Sequence, residues 1–204
     1  MNPTDPPGLV VDADGWCQQA QQLRSPNCDP RPDGAVIDLL VVHNISLPPD
    51  EFCTHYIAAL FLNRLDCDLH PYFDRLRGMR VSAHFLITRA GALLQFVSVN
   101  ERAWHAGVSL FEGRERCNDF SIGIELEGSD FCPFADQQYE TLAALAVALQ
   151  QRYPLRSVAG HEHIAPGRKT DPGPCFDWPR LRAMLQVRQL ASAPATTLSF
   201  PIKA

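Results

Sequence analysis

The spacing of apolar and polar positions predicts an alternation of strands and helices. AVIDLLVVHN (35–44) reads as a buried strand, with Ile37, Leu39, Val41 and His43 on one face. DEFCTHYIAALFLNRL (50–65) carries Phe52, Tyr56, Leu60 and Asn63 at helical spacing, with Asp50 as a candidate cap. VSAHFLIT (81–88) and LLQFVSV (93–99) read as strands joined by a hairpin turn at RAGA (89–92). The stretch 100–119 has no clear period and is expected to be a long functional loop.

FSIGIEL (120–126) alternates cleanly: Phe120, Ile122, Ile124 and Leu126 face one way, and Ser121, Gly123, Glu125 and Glu127 the other. The clearest helix lies within 135–154, capped by Asp136 and stopped before Pro154, with a stripe of Tyr139, Leu142, Leu145, Ala146 and Leu149. A short strand, SVAG (157–160), precedes a stiff segment, GHEHIAPGRKTDPG (160–173). A final helix is expected from Asp177, with Pro179 in its first turn and Leu181, Leu185 and Leu190 on its apolar side. Strands alternating with helices, plus one hairpin, imply an α/β fold with a central mixed sheet flanked by helices. One domain over 15–190 is expected, between a flexible N-terminal tail (1–14) and a C-terminal tail (191–204).

Composition narrows the function classes. The chain has 204 residues, 46% of them hydrophobic, enough for one real core. A formal net charge of −5 argues against nucleic acid as a partner, because no basic excess exists to neutralise phosphates. Seven cysteines, an odd number with no C-x-x-C pair, argue against a disulfide scaffold or a thiolate zinc knuckle. Neither a signal peptide nor a membrane span is legible. A cytoplasmic protein without a membrane or obligate protein partner is the expectation.

Three polar residues close or follow predicted strands: His43, Glu125 and His161. Asp171 returns ten residues after His161, across a Gly/Pro-stiffened turn. Two imidazoles and one carboxylate form a common zinc shell that leaves a position open for water. Glu125, a carboxylate on a strand that reads as buried, needs a partner or a task. Lys169 is placed to stabilise an oxyanion. The H-E-x-x-H helix of many zinc peptidases is absent. Spacing alone cannot pair His43 with the distant His161, and it leaves His163, two residues on, open as a ligand.

LLVVHNISLPPDEF (39–52), HPYF (70–73), RVSAHFLI (80–87), RAWHAGVS (102–109), GRERCNDFSIGIELEG (113–128) and RKTDPGPCFDW (168–178) together resemble one family. It is that of the zinc N-acetylmuramoyl-L-alanine amidases, in the cytoplasmic branch that trims recycled cell-wall fragments. Phage amidases and peptidoglycan recognition domains are more distant members. The resemblance spans about residues 15–180. It implies Zn2+ held by His43, His161 and Asp171, with Glu125 as proton carrier and Lys169 as oxyanion stabiliser. It also implies a small anhydro-muropeptide substrate, cut between the lactyl group of 1,6-anhydro-N-acetylmuramic acid and L-alanine.

Asn44, Arg80, Trp104, His105 and Arg116 are the candidate substrate contacts. Trp104 suits a sugar face or a purely structural role, His105 a groove wall, Asn44 an acetamido contact or a loop cap, and the arginines either substrate carboxylates or a solvated surface. Glu162, His163 and Gly167 depart from the family pattern, so His163 either competes as a ligand or lines the mouth. His84, mid-strand, reads as a satisfied core or near-site histidine rather than a ligand, and Cys117 as an inert or merely exposed thiol. The rival readings are a wall-binding module without hydrolysis, an exported amidase acting on intact wall, and a general zinc peptidase.

Overall fold

The computed structural model describes residues 8–192 and 197–200. A six-stranded sheet runs in the order β1 (Gln21–Gln22), β5 (Leu93–Gln95), β4 (Phe85–Ile87), β9 (Ser121–Glu127), β3 (Leu39–Ile45) and β10 (Ser157–Gly160). β4, β9, β3 and β10 are parallel, and β5 runs antiparallel to β4. Two short ribbons lie outside the sheet. One joins β2 (Cys28–Pro30) to β6 (Glu101–Ala103), and the other joins β7 (Leu110–Phe111) to β8 (Arg114–Glu115). The expected mixed sheet is therefore present, and its middle is parallel.

The sheet faces are filled by different elements. Leu40, Val42, Ile122, Ile124 and Leu126 pack against α2 (Asp136–Gln150) and α4 (Trp178–Ser192). The predicted stripe of α2, from Tyr139 to Leu149, is buried there. Burying each large apolar side chain contributes about 1.5–3 kcal/mol. On the opposite face, Leu86 and Leu94 meet α1 (Thr54–Phe61) through Ile57, Leu60 and Phe61. Leu39, Val41 and Ala159 meet Ala106, Cys117, Phe120 and Ile164 of α3 (His161–Ile164).

Several boundaries differ from the sequence pattern for identifiable reasons. α1 starts at Thr54, and Asp50 does not cap it; Asp50 sits at φ 62 in a turn closed by hydrogen bonds among residues 46–51. At α2 the capping is done by Gln138, whose side chain accepts the Ala135 N–H, and Asp136 is the first helical residue. Asp177 does cap α4, accepting the Arg180 N–H at 2.9 Å. Leu185 is buried, but Leu190 is 87% exposed. The 100–119 stretch, expected to be irregular, contains β6, the β7–β8 hairpin and a 3-10 turn at Cys117–Asp119.

The expected tails are partly packed. Residues 1–7 lie outside the described residues. From Gly8 the chain joins the fold: Val11 is buried and bridges to Cys17. At the other end α4 reaches Ser192, and Leu198 is buried beside the bridge of Ser199 to Ser157. The rest of the expected C-terminal tail, 193–196 and 201–204, falls outside the described residues. Among the described residues no helix is long and apolar enough to cross a membrane.

Candidate metal centre and active site

The site is built at the carboxyl ends of three adjacent parallel strands, where open α/β sheets commonly place ligands. His43 of β3 stands directly beside Glu125 of β9 in the strand register, so both side chains leave the same face. Neighbouring β10 ends at Gly160, and His161 opens α3 at once. The chain closes back on this point because the Glu162 N–H donates to the Asp171 carbonyl at 2.8 Å. Gly160 permits the close fit: a Cβ there would meet Pro172 at 2.6 Å.

Three donor atoms converge as a result. His43 Nδ1 lies 3.0 Å from His161 Nδ1 and 2.9 Å from Asp171 Oδ2, and the last two are 3.1 Å apart. His43 and His161 are buried, and Asp171 is nearly so. His161 Nε2–H donates to the Ala106 carbonyl at 3.0 Å, so in the neutral ring Nδ1 is a bare lone pair. That lone pair faces the carboxylate oxygen. One proton on His43 Nδ1 can serve only one of the two acceptors. A single cation held by the three atoms would serve all of them, and the two-nitrogen, one-oxygen set suits zinc.

Electrostatics favour the same occupant. Burial pulls the His43 imidazole down to about 4 against the pull of Asp171, leaving the ring neutral as a metal ligand must be. Burial raises the Asp171 carboxyl, but the adjoining imidazoles of His161 and His43 outweigh it and hold it well below the usual carboxylate range. Glu125 goes the other way. Burial, and then the Asp171 charge, push it well above its ordinary value. Its Oε2 has no hydrogen-bond partner and is fully enclosed. An orphaned carboxylate beside three converging ligands is poised to exchange a proton with something bound there.

The other predicted site residues are distributed unevenly. Lys169 is exposed at the rim, close enough for its charge to bear on both Glu125 and His43. Asn44 follows His43 and donates its amide to Asp130 at 2.8 Å and to the Pro172 carbonyl at 3.1 Å, tying two site loops together. Trp104 is half-buried, with its indole N–H on Asp29. Arg80 is exposed, and Arg116 is an exposed partner of Asp119. His105 does not line an open groove as expected. It is buried, with Nδ1 3.0 Å from His43 Nε2 and Nε2 3.2 Å from Ser121 Oγ.

The open reading of His163 resolves as well. Its Nδ1 accepts the Gly160 N–H at 2.9 Å, its ring packs edge-on against Trp178, and it stands apart from the three-atom cluster. His84 accepts the Gly123 N–H on Nδ1 and donates from Nε2 to the Glu101 carbonyl, a satisfied buried histidine. Burial, followed by the Arg31 charge, takes it down to about 3.

Sequence reasoning missed the groups that hold the histidines. Asn118 Oδ1 accepts the N–H groups of His105 and Ala106, and half-buried Arg31 grips the carbonyls of Asn118, Asp119 and Ser121. Ser121 and Gly123 were legible as a polar face on a buried strand. Arg31 and Asn118 carried no such signal.

Comparison with known proteins agrees with this fold. The N-acetylmuramoyl-L-alanine amidase family model matches residues 33–174. The 1,6-anhydro-N-acetylmuramyl-L-alanine amidase AmpD of Citrobacter freundii is 55% identical over 174 residues, covering 84% of this chain and 93% of that protein. The crystal structure of a selenomethionine AmpD derivative superposes with a TM-score of 0.83 at 54% identity, over 86% of this chain and 99% of that one. The Escherichia coli amidase AmiD, solved in complex with anhydro-N-acetylmuramic acid-L-Ala-D-gamma-Glu-L-Lys, gives a TM-score of 0.55 at 30% identity, over 87% of this chain and 65% of that one.

Proposed function

The chain belongs to the N-acetylmuramoyl-L-alanine amidase family, and on that premise we propose that it is a zinc-dependent amidase of recycled cell-wall muropeptides. It hydrolyses the amide between the lactyl group of 1,6-anhydro-N-acetylmuramic acid and L-alanine. The observation that carries this reading is the convergence of His43, His161 and Asp171 beside the orphaned Oε2 of Glu125. The 55% identity to an anhydro-muramyl amidase supports the choice of substrate. The cytoplasm is the expected compartment, which suits seven cysteines that are all unpaired.

His43, His161 and Asp171 would hold the zinc, which would supply a Lewis acid for the scissile carbonyl and for water. Glu125 takes a proton from the attacking water. Its burial favours the protonated form that results, and it then delivers that proton to the departing amine of L-alanine. The Lys169 ammonium at the rim stabilises the oxygen anion that develops on the carbonyl. Arg80 and Arg116, both exposed, are suited to stem-peptide carboxylates. Trp104 offers a half-buried aromatic face to the sugar, and Asn44 fixes the loops on either side of the metal.

The test compares release of L-alanine-terminated peptide from an anhydro-muropeptide, from intact wall and from an ordinary peptide, with zinc content measured on the same preparation. Hydrolysis of the anhydro-muropeptide well above the other two is expected, with about one zinc per chain. Full activity in metal-free protein, or preference for intact wall, overturns the assignment. Asp171→Ala should lose the metal, and undiminished zinc content in that variant would remove Asp171 from the ligand set.

A further inference from the structure

The Nδ1 atom of His43 faces the metal position, and its other nitrogen, Nε2, lies 3.0 Å from His105 Nδ1. His105 Nε2 in turn lies 3.2 Å from Ser121 Oγ. This buried row can be wired in two directions. Either Ser121 donates to His105, which donates to His43 and leaves the proton-bearing nitrogen of His43 on the metal side, or every bond runs the opposite way. Only the second direction leaves His43 Nδ1 bare, as a metal ligand must be.

The surroundings are built to keep His105 in this row. Its ring lies over Gly123, where a Cβ would meet ring atoms at 2.4–2.6 Å, so no larger residue fits beneath it. Its backbone N–H is held by Asn118 Oδ1 at 3.2 Å. The same Asn118 oxygen holds the N–H of Ala106 at 2.8 Å, and the Ala106 carbonyl accepts from His161 Nε2. Two consecutive residues thus support the two imidazoles that converge on Asp171.

We infer that His105 is a positioning residue for the metal centre. Its Nδ1 accepts the Nε2–H of His43, its own Nε2–H goes to Ser121, and metal loading selects this direction of the row. The inference rests on the zinc reading proposed above. It replaces the expectation that His105 contacts substrate, and it gives Gly123 and Ser121 a role in metal affinity.

The test uses zinc affinity, by competition with a chelator, together with the tautomers of His43 and His105 from long-range nitrogen–proton NMR correlations. An asparagine presents a side-chain oxygen near the Nδ1 position of histidine, and a glutamine presents its amide near Nε2. His105→Asn should stay within about threefold of the wild-type affinity, whereas His105→Gln should lose about 10–100-fold. Gly123→Ala, which displaces the ring without changing it, should show the same loss. In the zinc-loaded wild type His105 should carry its proton on Nε2.

Wild-type affinity in both His105→Gln and Gly123→Ala overturns the inference, as does a zinc-loaded His105 protonated on Nδ1. Should His105→Gln fail to fold, Gly123→Ala and the wild-type tautomers decide the matter. A wild-type protein that binds zinc and cleaves substrate while these results go against His105 refutes this inference alone. A wild-type protein that binds no zinc refutes the proposed function itself.

Discussion

On one face of β9 stand Ile122, Ile124 and Leu126, and on the other Ser121, Gly123 and Glu125; all six are buried. The first face meets α2 and α4 and is held by area and packing. The second meets histidines and is held by directed contacts: a hydroxyl on His105, an absent side chain beneath the same ring, and a carboxylate with one oxygen left unpartnered. One face lowers the free energy of the fold. The other spends part of that stability on holding a charge-bearing group where it is costly. Burial by itself therefore does not distinguish core from site; satisfaction of the polar atoms does.

The largest expected effect lies on the polar face. Glu125→Gln should lower turnover by roughly 10²–10⁴ while zinc content is unchanged. A variant that keeps its turnover would make the orphaned carboxylate a structural oddity. On the apolar face, Ile124→Ala should cost about 2–5 kcal/mol in urea unfolding, yet leave turnover per folded, zinc-loaded molecule near the wild-type value. If turnover per folded molecule dropped as steeply as in the Glu125 variant, the two faces would not be separable.

A third measurement sets the faces against pH in the metal-free protein. The buried rings of His43, down to about 4, and His84, down to about 3, take up protons in the unfolded chain first. Their contribution is complete above about pH 6.5 and is lost as pH falls towards those values, at about 1.4 kcal/mol per pH unit per ring. Glu125 opposes them. Its raised pKa means that the folded state binds the proton first, so its contribution is present below the ordinary value of 4.5 and declines as pH rises above it. Between pH 4.5 and 6.5, urea midpoints of Glu125→Gln should therefore climb more steeply with pH than those of the wild type. An equal or shallower climb would show that Glu125 is not held protonated by its surroundings. The smallest effect is expected for Ile122→Val, about 0.5–1.5 kcal/mol with zinc binding and turnover unchanged.

Much of the fold was legible in the chain. The alternation of β9, the stripe of α2, the hairpin at 89–92 and the start of α4 near Asp177 all reflect local rules, because side-chain period and backbone conformation are set within a few residues. The element ends were less legible. Asp50 looks like a cap, but a turn closed around it takes up the preceding residues. The flanks of β4 likewise give their N–H groups to distant loops, as Ser82 does to the Trp104 carbonyl.

Local pattern alone specifies the kind of chemistry available: imidazoles and carboxylates at predicted strand ends, an acid on a strand that reads as buried, and a motif set that resembles one amidase family. Which of the seven histidines converge and which stand apart follows from the folded chain. It brings His43 and His161 to 3.0 Å across 118 residues of chain, turns His163 to a backbone cap, and buries His105 behind a ligand. The physical reason is range. Periodicity and turn chemistry act over a few residues, whereas a metal centre depends on strand order and register in a parallel sheet, and these are settled by packing the whole chain at once.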